Sequence, residues 1–271
     1  MSSSTKRNIL LLVEGESAEV KLFERILTCF PEIEINPDNI LVYKTNLWTL
    51  NTDLKDAFGD DWHTQEEIDF LDFLKSSNRI KKQIENLDTA KITDIFLIFD
   101  YERQEPKFNA EQLEKILEFF NNSTENGQLY INYPMIESYK HLKKPLPDTD
   151  YLDRICKCNI LTNSHKKNNQ YKKVVGEESG FTDLRKIEAE DLRQFIIHNL
   201  CKASYITSKN KKEISKEIAY DYWKHFDLID ILNVQNKCSD DLESGFVYIL
   251  CTCLFFILEY NSRYIFNENN I

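Results

Sequence analysis

The sequence predicts an α/β fold, a doubly wound and mostly parallel sheet of about four strands, followed by an α-helical C-terminal region. Three observations carry this prediction. The apolar runs at residues 9–13 and 95–99 do not alternate with polar residues, as expected of strands covered on both faces. Segments with apolar residues at helical spacing lie between such runs. After Pro145 and Pro147 the strand signals stop. These features place an α/β domain at residues 1–147 and a mainly helical region at 148–271.

The first strand is predicted at residues 8–14. Residues 17–30 follow, with Val20, Phe23, Leu27 and Phe30 on one helical face, Ser17 as N-cap and Pro31 as the stop. A second strand is predicted at 39–45. Next comes a polar connection holding Trp48, then a long helix from about Thr64 to Leu87. The third strand is DIFLIFD, 94–100. Asn109 caps a helix whose inner face is Leu113, Ile116, Leu117 and Phe120. The fourth strand, 128–135, runs into IESYKHL, read as a helix. Beyond it, helices are predicted near 182–206, 209–225 and 240–260, with no clear strand.

Composition bounds the function. The chain has 271 residues, 42% of them hydrophobic, enough for a real core. A net charge of −11 weighs against a classical basic DNA binder. It leaves room for an acidic metal pocket beside a local basic patch. The seven cysteines include two C-x-C pairs, neither with zinc-knuckle spacing. The opening MSSSTKR has no signal-type pattern, and residues 245–258, a largely apolar run of 14, are too few to span a membrane. They read as a buried helix, and the protein is expected to be soluble and cytoplasmic.

The functional signal lies at the strand ends. Glu14 closes the first strand, Asp100 closes the third, and Glu137 follows the fourth. Open parallel sheets place their sites beyond the carboxyl ends of their strands. If the third strand extends through Tyr101, Asp100 and Glu102 share a face. Acids gathered there without a metal would repel one another. A hard divalent cation, Mg²⁺ or Mn²⁺, relieves that and serves phosphodiester chemistry.

LLLVEGESAEVKLFERIL resembles the opening motif of the Toprim (topoisomerase–primase) superfamily, a strand ending in Glu-Gly before a helix. FLIFDYE is similar to its Asp-x-Asp motif, with Glu102 in place of the second aspartate. YPMIESYKHL resembles a segment of compact RloB-like Toprim proteins. The likeness covers residues 8–142. It implies that Glu14 handles protons or ligates metal, that Asp100 and Glu102 hold Mg²⁺, and that Glu137 completes the acidic cluster. Gly15 would let the backbone approach a phosphate. Compact Toprim proteins, OLD-type nucleases among them, are frequently nucleases of bacterial anti-phage or abortive-infection systems. The resemblance therefore implies a metal-dependent nuclease acting on RNA or DNA. The alternative is a binding or sensing module that keeps the scaffold without catalysis, a reading the Asp-x-Glu variant favours.

HKKNNQYKK, 165–173, is the densest basic stretch. Lys166, Lys167, Lys172 and Lys173 are expected to contact a phosphate backbone, with Tyr171 available for stacking; a solvated loop is the competing interpretation. His141 falls four residues after Glu137, one α-helical turn away, where it would assist a scissile phosphate or lie idle at the surface. No G-x-S-x-G elbow and no P-loop occur. Any ATPase action would thus come from a separate partner subunit. Self-association into a homo-oligomer stays open.

Overall fold

The computed structural model describes residues 7–162, 170–178 and 180–266. The chain forms two compact units. One comprises Met1–Phe99 with Lys115–Tyr130, the other Asp100–Glu114 with Ile131–Ile271. This division falls elsewhere than the expected boundary near residue 147.

A five-stranded sheet is built from β1 (Ile9–Val13), β2 (Ile40–Val42), β3 (Asp94–Asp100), β4 (Asn121–Asn122) and β5 (Gly127–Asn132), in the order β2-β1-β3-β5-β4. It is mostly parallel. β1 pairs in parallel with β2 (Val13 opposite Val42) and with β3 (Val13 opposite Ile98), while β4 and β5 are antiparallel. All five residues of β1 are fully buried, which is why its sequence shows no alternation. The two-residue strand β4 goes beyond the expected four, being polar and too short to carry a pattern.

In the first unit, α1 (Ala18–Cys29) buries Leu22, Phe23 and Ile26. Ser17 makes no capping bond, because its backbone is already helical, whereas a side-chain cap needs an extended one. Trp48 does not lie in a connection. It belongs to α2 (Leu47–Phe58), where Asn46 accepts the Thr49 amide as N-cap. The long helix expected at 64–87 is two short ones, α3 (Phe70–Ser76) and α4 (Lys81–Ile84). Asp69 caps the first by accepting the Asp72 amide, and the chain turns extended at Ser77. Trp62 anchors an aromatic cluster with Phe119 and Phe120, centroids 4.9 and 5.7 Å away, and donates to Asn51 Oδ1 at 3.1 Å.

Between the strands β3 and β4 runs α5 (Ala110–Phe119), capped as expected: Asn109 Oδ1 accepts the Gln112 amide at 2.8 Å.

The second unit is mostly helical. Its helices are α6 (Cys158–Thr162), α7 (Gln170–Glu178), α8 (Ala189–Ser208), α9 (Lys216–Trp223), α10 (Leu228–Cys238) and α11 (Phe256–Asn261). Contrary to expectation it also holds two strands, β6 (Ile155–Lys157) and β7 (Phe246–Tyr248), paired antiparallel. β7 takes the start of the stretch expected to be one buried helix. The aromatic and β-branched Phe246-Val247-Tyr248 suits a strand, and the remainder splits into a 3-10 turn, Thr252–Phe255, and α11. α8 organises this unit through buried polar groups. His198 Nε2 accepts the Asp148 amide at 2.9 Å, and Asn199 Oδ1 accepts the Tyr151 hydroxyl and the Cys251 amide. Lys202 is fully buried and donates to the Tyr151 and Arg154 carbonyls. Among the described residues, no helix is long and apolar enough to cross a membrane.

Candidate functional site

In the first unit the carboxyl end of β1 is fixed by its neighbours. The Glu14 amide donates to Ile98 O at 3.2 Å, and the Glu14 carbonyl accepts the Lys44 amide at 3.0 Å. Residue 14 is therefore tied to β3 itself and to the chain just beyond β2, and its side chain is half-buried. The Gly15 backbone is not left-handed; a Cβ there would lie 2.9 Å from Glu19 Oε2, so a side chain at this position would make the Glu19 carboxylate shift. Glu19, in the first turn of α1, is only 7% exposed. It stands out in the sequence as one of three clustered glutamates, but nothing in its spacing shows that its carboxylate packs against Gly15. Glu16 is exposed and pairs with Lys44 at 2.6 Å.

In the second unit Asp100 Oδ1 accepts the Ile136 amide at 2.8 Å. Ile136 is the first residue of a 3-10 turn, Ile136–His141, that carries Glu137 and His141. Asp100 is thus brought to the start of the Glu137 segment. Glu102 does not continue the strand. β3 ends at Asp100, and Glu102 has φ 42°, in the left-handed region. Its carbonyl accepts the Glu105 amide at 2.9 Å, closing a turn. The alternation expected to align Asp100 with Glu102 does not extend this far. The loop is held by Tyr101, whose hydroxyl donates to Asn236 Oδ1 at 2.7 Å, and by Arg103, which donates to the Ser239 and Asp240 carbonyls.

The segment IESYKH is not an α-helix, which changes the relation of Glu137 to His141. A 3-10 turn advances about 120° per residue, so residues four apart do not share a face. His141 is also not a surface residue: it is 4% exposed, and the Tyr171 ring lies against it with centroids 5.3 Å apart. Burial, helped by the nearby cations of Lys202, Arg154 and Lys143, pushes its pKa down to about 4. Glu137 is buried as well, and its Oε1 pairs with Lys172 Nζ at 2.9 Å. Among the described residues, its Oε2, Ser138 Oγ and His141 Nε2 are buried without a hydrogen-bond partner.

The basic stretch falls only partly within the described residues, and Lys166 and Lys167 lie outside them. Tyr171 is 1% exposed and turned onto His141, so it is not presented for stacking on a base. Lys173 is exposed, and Lys172, on α7, is half-exposed while engaging Glu137.

Among the described residues, no group of three or more His, Cys, Asp and Glu side chains is placed to hold a metal ion. Mg²⁺ asks for less: one or two carboxylates, with water and substrate phosphate completing its shell. Asp100, at the end of β3, supplies a carboxylate of the hard-oxygen kind that this cation takes. No family model, curated protein or solved structure matches the chain.

Proposed function

We propose that the chain is a Mg²⁺- or Mn²⁺-dependent nuclease of Toprim type, cleaving RNA or DNA phosphodiesters as an effector of bacterial anti-phage defence. The observation that carries this is the parallel pairing of β1 with β3, the strands that Glu14 follows and Asp100 ends. In this function Asp100 and Glu102, both in the second unit, would hold the cation. When bound, the cation stabilises charge on the phosphoryl and leaving oxygens. Glu14 moves a proton to or from the oxygen that attacks or leaves phosphorus. Gly15 admits the phosphate backbone at close range, having no Cβ. Glu137 and His141 act on Asp100 through the turn that supplies the Ile136 amide, and so position it.

A non-catalytic binding or sensing module on the same scaffold is the second reading. The left-handed turn at Glu102 favours it, because that backbone carries the second acid away from the strand direction.

The deciding experiment incubates the purified chain with labelled RNA and DNA in Mg²⁺, Mn²⁺ or EDTA, beside Asp100→Asn. Cleavage that needs the cation and disappears in Asp100→Asn, with the melting temperature lowered by only about 2–4 °C, is the expected result. Cleavage that persists in EDTA, or at full rate in the variant, excludes the metal role. No cleavage of either nucleic acid leaves the non-catalytic module.

A further inference from the structure

β6 and β7 form an antiparallel ribbon in the second unit, with Ile155 opposite Tyr248, Cys156 opposite Val247 and Lys157 opposite Phe246. Side chains alternate between the faces of such a ribbon, and directly opposite residues share a face. Burial follows that alternation. Cys156 and Val247 turn inward, 3% and 0% exposed. Ile155, Lys157, Phe246 and Tyr248 lie on the other face, each at least partly exposed, and Ile155 is 40% exposed. The aromatic pair is held in place. The Phe246 and Tyr248 rings meet edge to face with centroids 5.2 Å apart. The Gln235 side-chain amide donates to the Tyr248 carbonyl and accepts its amide, both at 2.9 Å. Cations rim this face. Lys157 stands on it, and the exposed Lys209 holds its ammonium 6.0 Å from the Tyr248 ring centroid, at the outer limit of a cation–π contact. Nearby carboxylates are engaged: Asp153 pairs with Lys211, and Asp241, in the loop before β7, accepts the Glu243 amide and the Ser244 hydroxyl.

We infer that this face of the ribbon binds a single-stranded nucleic acid, one base stacking on Tyr248 beside Ile155, the next on Phe246, with flanking phosphates on Lys157 and Lys209. Every base has a π-face, so exposed rings take bases with little regard to sequence. In a duplex those faces are covered by neighbouring pairs. The two rings also stand nearly perpendicular, at 85°, so successive bases must be splayed apart, which an unpaired strand allows. Lysine is a flexible point charge, and Lys209 can leave the ring for a phosphate as a base takes its place. An apolar protein partner would cover Ile155 but leave both lysines without a counter-charge. The inference rests on the reading of the chain as acting on nucleic acid, and it adds that the strand is presented unpaired.

The test is fluorescence anisotropy of the full chain in EDTA with labelled oligo-U and oligo-dT of about 12 nucleotides, inside the range of known single-strand sites, beside a duplex of the same length. At least one single strand should saturate, about tenfold or more tighter than the duplex. Tyr248→Ala should weaken binding by about fivefold or more, and Tyr248→Phe should keep it. Lys157 is exposed, so Lys157→Glu folds whether or not Tyr248→Ala does. It should weaken binding as much and flatten the salt dependence. Failure of both strands to saturate overturns the inference, as does duplex binding as tight as the single strand or undiminished binding by Lys157→Glu. A dimer that Ile155→Glu dissociates, with no oligonucleotide bound, also overturns it and gives the face to a second copy of the chain. Binding is read without the cation, so the two readings fail separately. A chain that binds the strand but never cleaves keeps this face and loses the nuclease; one that cleaves, with Lys157→Glu at full affinity, does the reverse.

Discussion

At Asp100 two demands meet. The carboxylate ends a strand whose preceding residues are buried, and it accepts a backbone amide from the next connection, Ile136. Asn keeps an acceptor oxygen in the same place. Asp100→Asn is therefore expected to cost only about 1 kcal/mol in stability, the difference between a charge-assisted and a neutral hydrogen bond. A loss well beyond that, in a denaturant melt, would mean that the carboxylate is chiefly structural. His141 supplies a second residue-scale outcome. It is buried and uncharged, with its pKa pushed down to about 4 by burial and by Lys202, Arg154 and Lys143. The unfolded chain takes up a proton at His141 near pH 6.5, while the folded chain does not until about pH 4. Stability should thus fall as pH drops from 6.5 to 4, by roughly 3 kcal/mol from this residue. His198, shifted the same way by its own burial, adds to the fall. His141→Gln should flatten the profile across that window, and an unchanged slope would remove His141 from the account.

At the scale of elements, the fully buried strands are legible in the sequence and the half-hidden ones are not. β1 and β3 show as unbroken apolar runs, since both faces are covered. The helix after Asn109 shows through its cap and its apolar face. In the second unit, sequence pattern misleads where tertiary pairing decides. Phe246–Tyr248 has the apolar density of a buried helix, but it pairs with Ile155–Lys157, a partner some ninety residues away that no local window reveals. Residues 136–141 read as α because 3-10 and α turns share their composition; the difference moves His141 off the Glu137 face. Of the candidate site, the strand ends of Glu14 and Asp100 are legible. The turn at Glu102 is not, because a non-glycine residue at φ 42° carries no sequence signal. Gly127, which opens β5, gives an element-scale test. Its φ is 117°, and a Cβ would lie 2.7 Å from Leu97 Cδ1 on β3. Gly127→Ala should destabilise the sheet by more than about 1 kcal/mol, combining backbone strain with a clash in a packed core. An unchanged denaturation midpoint would show that the β4–β5 turn is free to move away.

For the molecule as a whole, a net charge of −11 means that a polyanion is repelled by the average surface. The nucleic-acid binding proposed for the chain must then rest on a local patch, and the stretch from Lys166 to Lys173 is the densest one. Its four lysines are not equivalent. Lys172 already pairs with Glu137, and engaging a phosphate would cost it that partner, leaving a buried carboxylate uncompensated. Lys173 is exposed and carries no such cost. For every phosphate that a lysine no longer neutralises, the slope of log affinity against log salt should drop by roughly 0.7 to 0.9. Replacing Lys166, Lys167 and Lys173 with Gln should accordingly weaken binding of the Asp100→Asn protein and flatten its salt dependence, with little change in melting temperature. Adding Lys172→Gln should flatten the slope no further but lower the melting temperature, because it strands Glu137. Binding measured across a salt series, beside a melt of each variant, separates the two roles. If the triple variant keeps its affinity and slope, the basic stretch does not track phosphate, and the nucleic acid runs elsewhere. If Lys172→Gln flattens the slope and leaves the melt untouched, the pair with Glu137 is incidental and Lys172 belongs with the other three.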